Sequence, residues 1–430
     1  MRAAQQKAGP AMQGLPPGPS EPPLVQTLRW LARPIAFMES CRRAYGEAFS
    51  VNFTGFRTPL VMVSSPEVLR ALYAERSHGL PPGRTVTLRP LVGPRSLLLL
   101  EGVDHLSRRK AMLPPFHGER MRAYEGVVLE AAERELSRSP VGRPFAVHPS
   151  MQAITLEVIL RAVFGVSERG PLHALLRDLL AATISTQLQV SVLFGRTKPL
   201  ERLTEMAAEI DSRLMAEIAA RRADPGEDIC SLLVQVRFED GSAMTDREVR
   251  DQLMTLLLAG HETTATGLAW TLDLLTRNPA VMDRARVDGE PYVRAIVAES
   301  LRLRPVVPLA GRRLAVDLEA DGLRIPAGTD VTPAIWLTHT RPEAYPEPYA
   351  FRPERFLEHP PSTYTWVPYG GGVRRCLGAA FAEMEMRIVL GAILRGFDLH
   401  AVSGRAERVA RRNVTFSPRH GTRVIATPRP

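Results

Sequence analysis

Residues 369–387 read YGGGVRRCLGAAFAEMEMR. Gly370, Gly371 and Gly372 stand side by side, and a residue without a Cβ adopts backbone angles that a side chain forbids. The chain can therefore turn tightly here and lie close against a flat partner. Cys376 follows the turn. After Gly378 the apolar positions Ala379, Ala380, Phe381, Met384, Ile388, Val389 and Leu390 repeat at helical spacing, which puts Cys376 at or just before a helix start. A helix N-terminus carries partial positive charge and lowers a thiol pKa, so the position favours a thiolate. The competing reading is a lone cysteine that only packs, since free cysteine is among the residues most often buried.

The spacing around the cysteine is more specific. Gly372, Arg374, Cys376 and Gly378 form G-x-R-x-C-x-G, with an aromatic, Tyr369, three residues before the first glycine. This resembles the haem-ligand loop of the cytochrome P-450 family. The resemblance implies that Cys376 binds the iron as a thiolate, that Arg374 holds a haem propionate and that Gly378 belongs to the same cofactor-binding loop. Tyr369 departs from the family pattern, which usually has phenylalanine there.

At 430 residues the chain exceeds an average domain, yet no linker divides it. The expected organisation is a Pro-rich arm, residues 1–22, extended or mobile, followed by a single domain over 23–430. A hydrophobic fraction of 45% supports a substantial core, and strand-like stretches are few and short beside long helical patterns, so the fold class is mainly α. The formal net charge is +9, but the basic residues are scattered among Glu and Asp and no nucleic-acid-binding motif occurs, which argues against a nucleic-acid partner. Cys41, Cys230 and Cys376 have neither zinc spacing nor a disulfide framework and fit a reducing cytoplasm. Nothing upstream of the Pro-rich segment approaches the ~18 apolar residues of a membrane span, and no signal peptide is evident. The chain thus resembles the soluble bacterial members of the family, although LPPGP, Leu15–Pro19, is similar to the proline hinge of the membrane-anchored ones.

Along the chain, a helix near Ile35–Tyr45 precedes FSVNFTGFRTPLVMVSS, Phe49–Ser65, which reads as a hairpin turning at Thr54 and Gly55. Ser65-Pro66 supplies an N-cap and a proline at the first helical position. Leu80–Leu100 is broken by proline and glycine into a long irregular segment. The next helix, beginning near Val103, carries His105 and Arg109 one turn apart on one face. They read either as a surface histidine beside an arginine cluster (Arg108, Arg109, Lys110) or, by the resemblance, as paired propionate contacts. Helices over Glu119–Leu136, Met151–Phe164, Leu172–Leu180 and Leu203–Arg222 are scaffold. Thr183–Leu200 is apolar without a clear period and reads equally as a packed loop or a lid; the family has its substrate-entry lid there.

Thr245 and Glu248 are spaced as a capping box for a helix reaching about Arg277. Near its middle, AGHETT, Ala259–Thr264, replaces large residues by small ones. Glycine inside a helix costs about 1 kcal/mol against alanine, so Gly260 asks for a reason, and close approach of a flat ligand is one. Ala259, Glu262 and Thr263 share a face by their spacing. Apolar flanks (Leu256, Leu257, Leu258) disfavour the alternative of a solvated stripe. Glu262 and Thr263 resemble the family's acid-alcohol pair, which passes protons during dioxygen activation, and Ala259 would border both cofactor and substrate.

Glu299 and Arg302, in AESLRLRP, stand at the spacing of an intrahelical ion pair, which on a surface contributes well under 1 kcal/mol. With Arg355 of PERF they resemble the family's buried Glu-Arg-Arg network. Val306, Val307, Leu309 and Ala310 are expected to line the pocket, and Val414 to touch substrate from a late turn. Arg313 matches a propionate arginine, with Arg312 its close rival.

Four motifs in order, AGHETT, ExxR, PERF and GxRxCxG, carry the resemblance over nearly the whole chain. It implies a helical triangular prism with a small β-rich region and haem b on an axial thiolate, which favours O–O cleavage. The implied reaction is a monooxygenation in which dioxygen, two electrons and two protons hydroxylate or epoxidise a lipophilic small molecule. Lacking flavin, nicotinamide and iron-sulfur motifs, the chain needs a ferredoxin and ferredoxin reductase; Arg108, Lys110, Arg375 and Arg387 are candidate contacts for an acidic partner. The expected state is a monomer. A peroxide-using or isomerising haem-thiolate enzyme and a non-catalytic haem sensor are the alternatives.

Overall fold

The structure is a computed structural model that describes residues 14–56, 58–81, 89–165, 170–183, 198–412 and 414–429. The chain gathers into two compact units, each assembled from three stretches of sequence. One comprises Met1–Thr85, Ala295–Cys376 and Val409–Ser417; the other comprises Val86–Arg294, Leu377–Arg408 and Pro418–Pro430.

The first unit is built on a four-stranded sheet in the order Ala48–Val51, Leu60–Val63, Asp330–Pro333, Arg312–Arg313. The first pair is antiparallel with Phe49 opposite Met62, so the expected hairpin is present, with Gly55 at φ 90° in its connection. The inner strand LVMV is buried along its whole length. Its alternation explains why: Leu60 and Met62 enter one apolar cluster with Trp30, Phe37 and Phe416, whereas Val61 and Val63 enter another with Leu69, Leu72 and Val367. A strand covered on both faces reads as a continuous apolar run rather than an alternating one. Ser65 caps the Pro66–Ala74 helix as expected, its side chain accepting from the Val68 amide. Residues 14–22 are not loose: the Ser50 amide donates to the Pro17 carbonyl at 3.0 Å and the Ser50 hydroxyl to Pro16 at 2.7 Å. Residues 1–13 of the expected arm lie outside the described residues.

The second unit is helical around Asp246–Arg277, 32 residues long. Its start carries the expected capping box, Thr245 and Glu248 bonding reciprocally. The His148–Ala162 helix packs along it, and Glu119–Leu136 packs against both His148–Ala162 and Ala379–Gly396. A three-stranded sheet, Phe145–Ala146, Arg423–Pro428 and Phe397–Ala401, closes this unit. Part of the irregular segment before residue 100 is pinned to the long helix: the Arg95 amide donates to Asp251 at 2.9 Å, and the Leu97 amide to Gln252 at 3.0 Å. A Cβ on Gly93 would fall 2.0 Å from the Asp251 carboxylate, so only glycine fits there. Residues 82–88 of that segment, and 184–197 of the expected lid, lie outside the described residues.

Glu385, on Ala379–Gly396, is buried with one carboxyl oxygen that meets no hydrogen-bond partner, and burial pushes its pKa up to about 8. The native state thus holds this proton where the unfolded chain has released it, so the group's support is present at low pH and lost as pH rises towards 8. Glu385→Gln is expected to leave thermal stability near that of the parent at pH 5 and to raise the midpoint by several degrees at pH 8. Calorimetry at both values checks this, and a difference independent of pH refutes it.

Candidate active site

The cysteine loop belongs to the first unit. Gly370 and Gly372 have φ of 67° and 63°, left-handed conformations that suit glycine. The middle glycine answers a different need: a Cβ on Gly371 would lie 2.3 Å from the Tyr73 ring, and one on Gly372 would lie 2.5 Å from the Tyr73 carbonyl oxygen. The close approach expected of these glycines is therefore made, at least in part, to Tyr73 of the Pro66–Ala74 helix. A single 3-10 turn, Gly372–Arg374, follows, and the Cys376 amide donates to the Tyr369 carbonyl at 2.9 Å. Cys376 is exposed, two residues before Gly378, the N-cap of Ala379–Gly396.

Behind this loop sits a buried charge network. Arg302 and Glu299, both with fully buried side chains, form a bidentate pair at 2.6 and 2.7 Å. The remaining Arg302 donors reach the carbonyls of His339, Pro348 and Ala350. Glu299 also accepts from Arg355 at 3.2 Å and from the Arg352 amide at 2.9 Å. Arg302 and Arg355 thus both bond to Glu299. Tyr345, not singled out from sequence, lies under both guanidinium groups, 4.8 Å from Arg302 and 5.8 Å from Arg355.

His339 was likewise not singled out. Its Nε2 accepts from the Val367 amide at 2.8 Å, and its Nδ1 lies 3.1 Å from the Arg302 carbonyl, which only a ring protonated at Nδ1 alone satisfies. Burial, and then the Arg302 charge, push its pKa down to about 3, so the ring is neutral. One imidazole thus ties the charge network to the residue two positions before Tyr369. Trp366 adds a second tie, its indole N–H donating to the Ala298 carbonyl at 3.0 Å and its ring meeting Tyr369 edge-on at 5.9 Å.

The two rival arginines are distinguished by their surroundings. Arg313 spends both arms on Asp330, each at 2.8 Å, and is about a third exposed. Arg312 is buried, and its charge acts on two buried neighbours, Tyr73 and His78. The Tyr73 hydroxyl and His78 Nε2 meet no hydrogen-bond partner in the protein. Of the expected substrate contacts in this unit, Val306 is buried and its carbonyl accepts from Phe416 at 2.7 Å; Val307 and Leu309 are half-buried. Val414 is 65% exposed, while the next residues, Thr415 and Phe416, turn inward.

In the second unit, the AGHETT turn divides its roles around the helix. Ala259 is exposed, and the Thr263 hydroxyl donates to the Ala259 carbonyl at 2.6 Å. A Cβ on Gly260 would meet Ile159 at 3.0 Å, so close packing of His148–Ala162 is one reason for this glycine. His261 is buried, its Nδ1 2.9 Å from the Thr155 hydroxyl, and burial pushes its pKa down to about 4. Glu262 accepts from Gln152 at 2.6 Å on one oxygen and from Thr266 at 3.4 Å on the other. Glu262 thus bonds to Gln152 of His148–Ala162 as well as to its own helix, while the Thr263 hydroxyl bonds within its own helix.

On Gly102–Met112, His105 is buried and Arg109 half-buried one turn later. Arg108 turns instead to Asp104 at 3.0 Å and Glu248 at 2.9 Å, and covers the Phe238 ring at 4.7 Å. Among the described residues, no cluster of three or more His, Cys, Asp or Glu side chains forms a metal site, and no helix is long and apolar enough to cross a membrane.

A family model described as Cytochrome P450 matches residues 16–421. Cytochrome P450 135B1 of Mycobacterium bovis is 39% identical over 437 residues, covering 97% of this chain and 92% of that protein. Cytochrome P450 137 of Mycobacterium tuberculosis is 42% identical over 352 residues, covering 79% and 74%. Among solved structures, the retinoic acid-bound cyanobacterial CYP120A1 superposes with a TM-score of 0.83 at 24% identity, over 97% of this chain and all of that one. The cytochrome P450DA haem domain gives 0.85 at 24%, over 97% and 99%. The fold is therefore the cytochrome P450 fold, as expected.

His339 makes a pH prediction. The unfolded chain takes up a proton near pH 6.5 where the native ring resists it down to about 3, so its support is present above that range and lost as pH falls through it. His339→Phe is expected to cost about 1–3 kcal/mol at pH 7 through the lost bonds to Val367 and Arg302. It is also expected to flatten the acid slope of stability, with buried His261 among the groups that supply what slope remains. Urea unfolding from pH 7 to pH 4.5 checks both, and an unaltered slope refutes the assignment.

Proposed function

The chain belongs to the cytochrome P450 family, and from that premise we propose that Cys376 is the axial ligand of its haem and that the protein hydroxylates or epoxidises a lipophilic small molecule. The family's cofactor is protohaem IX on a cysteine thiolate, and its general activity is that of a haem-thiolate monooxygenase. One observation carries the assignment of the ligand. Cys41 and Cys230 are buried, with thiols pushed up to about 11 and about 12 by burial, whereas Cys376 is exposed on the loop that His339 and the glycines hold.

A second observation tests the fit to the cofactor. The unsatisfied Tyr73 hydroxyl and His78 Nε2, beside the buried Arg312 charge, suit an anionic acceptor, and a haem propionate is one. Burial pushes the Tyr73 phenol up to about 12, so it stays protonated and able to donate. Arg312 accordingly takes the role expected of Arg313, whose donors are committed to Asp330. By family likeness Arg374, His105 and Arg109 complete the propionate set, with Gly378 and Ala259 against the ring.

The chemistry that the bound group supplies is activation of dioxygen with two electrons and two protons, placing one oxygen atom in the substrate and releasing the other as water. The residues of this chain do the rest. Val306, Val307, Leu309 and Ala259 offer apolar surface to the substrate. Glu262 accepts and releases protons at its carboxylate, Thr263 at its hydroxyl, and the apolar turns flanking them keep stray water out. Glu299, Arg302 and Arg355 hold the cysteine loop and touch no reactant. The whole of 23–430 works as one haem domain, monomeric and in a reducing cytoplasm. Electrons come from a ferredoxin and its reductase. Of the four basic residues expected to receive such a partner, Arg108, Lys110 and Arg387 are paired with Glu248, Glu239 and Glu290, which leaves exposed Arg375 as the main contact.

Cys376→Ser is expected to abolish the red-shifted Soret band of the reduced, carbon monoxide-treated protein, and Arg312→Ala to weaken haem retention more than Arg313→Ala does. An unchanged band in the serine variant removes the ligand assignment. With ferredoxin, Arg375→Glu is expected to slow reduction about tenfold at low salt, the difference shrinking as ionic strength rises; Thr263→Ala is expected to divert reducing equivalents to hydrogen peroxide. Turnover with hydrogen peroxide alone and none with ferredoxin selects the peroxide-using alternative.

A further inference from the structure

The interface of His148–Ala162 with the long helix is polar where helix interfaces are normally apolar. His148, Gln152, Thr155 and Ile159 fall at i, i+4, i+7 and i+11 and so line one face. They meet Thr266, Glu262, His261 and Gly260 in turn, as two antiparallel helices require. Buried polar groups of this kind destabilise a protein unless each finds a partner. Here they find one another, and two of the pairs, Gln152 with Glu262 and His148 with Thr266, meet at the Glu262 carboxylate. Gln152 Nε2 donates to Oε2 at 2.6 Å; Thr266 donates to Oε1 at 3.4 Å; His148 Nε2 stands 3.5 Å from Oε1 and 3.3 Å from the Thr266 hydroxyl. His148 is 1% exposed, and its amide is fixed to the Gly421 carbonyl at 3.1 Å.

We infer that His148 and Gln152 are positioning residues for Glu262, holding its carboxylate in one rotamer and in its ionised form so that protons are taken up and released at a defined point. The inference rests on the proposed role of Glu262 in proton delivery. Glu262 keeps 16% of its side chain exposed, enough to meet water, and without a bonded partner a glutamate there has several rotamers to sample. Donors aimed at both oxygens remove that freedom and favour the charged form. The remaining titratable neighbour on the same turn, His261, is neutral and bonded to Thr155, so His148 is the group facing Glu262 from the packed helix.

The test uses the haem-loaded full chain and its Gln152→Leu, His148→Leu, His148→Gln and Glu262→Gln variants, each first checked for an intact reduced carbon monoxide band. Difference infrared spectroscopy of the resting protein, with Glu262→Gln as the blank, reads the pH at which the Glu262 carboxyl protonates. Gln152→Leu and His148→Leu are expected to raise its proton affinity about tenfold, and His148→Gln, which keeps a donor, to restore most of it. In turnover, both leucine variants are expected to raise the peroxide released per electron roughly two- to tenfold, with no further rise when Gln152→Leu is added to Glu262→Gln. Unchanged proton affinity in both leucine variants, or effects that add to Glu262→Gln, overturns this inference alone. Normal coupling in Glu262→Gln itself overturns the proposed role of Glu262, and this inference with it.

Discussion

A glutamate and an arginine without exposed surface must satisfy every donor and acceptor they carry, because removing one partner of such a pair costs about 3–5 kcal/mol. Glu299 and Arg302 meet that demand by recruiting distant backbone: the carbonyls of 339, 348 and 350, the amide of 352 and the guanidinium of 355. The irregular meander of that unit has little regular structure to hold it, so these bonds define its path. His339 extends the network to Val367, and from there the chain needs only a glycine turn to present Cys376. The position of the one exposed thiol is thus a consequence of a buried charge pair far from it in sequence.

The second unit solves a different problem. A 32-residue helix must offer small and polar side chains in its middle without losing its packing. Gly260 lets Ile159 approach, His261 is neutralised by burial and bonded to Thr155, and Glu262 is drawn to Gln152. About two turns earlier on the same helix, Asp251, Gln252 and Thr255 receive the segment around residues 95–97. Polar residues inside an apolar helix here serve packing and positioning as much as chemistry.

Much of this was legible from local pattern. Helix starts showed in Ser65-Pro66 and in Thr245 with Glu248, the glycine turn showed before Cys376, and Glu299 with Arg302 showed as a turn-spaced pair. What was missed has a common cause. His339, Tyr345, Trp366 and Gln152 each have a partner at least 28 residues away, and no periodicity announces such a partner. The two prolines in Pro114–Phe116 and the Asp321-Gly322 turn, with φ of 53° and 69°, carry local signals of turn chemistry.

The amino-acid order alone settled the mainly helical class, the ends of the long helix, the glycine-cysteine loop and the identity of the residues with chemistry to offer, because capping, spacing and backbone freedom are decided within a few neighbouring residues. Tertiary structure alone decided that Arg312 is buried while Arg313 pairs with Asp330, that Gly371 makes room for Tyr73 and Gly260 for Ile159, and that Glu262 is held by a neighbouring helix. Those outcomes depend on which distant segment comes to lie against each residue, and that is a property of packing, not of local sequence.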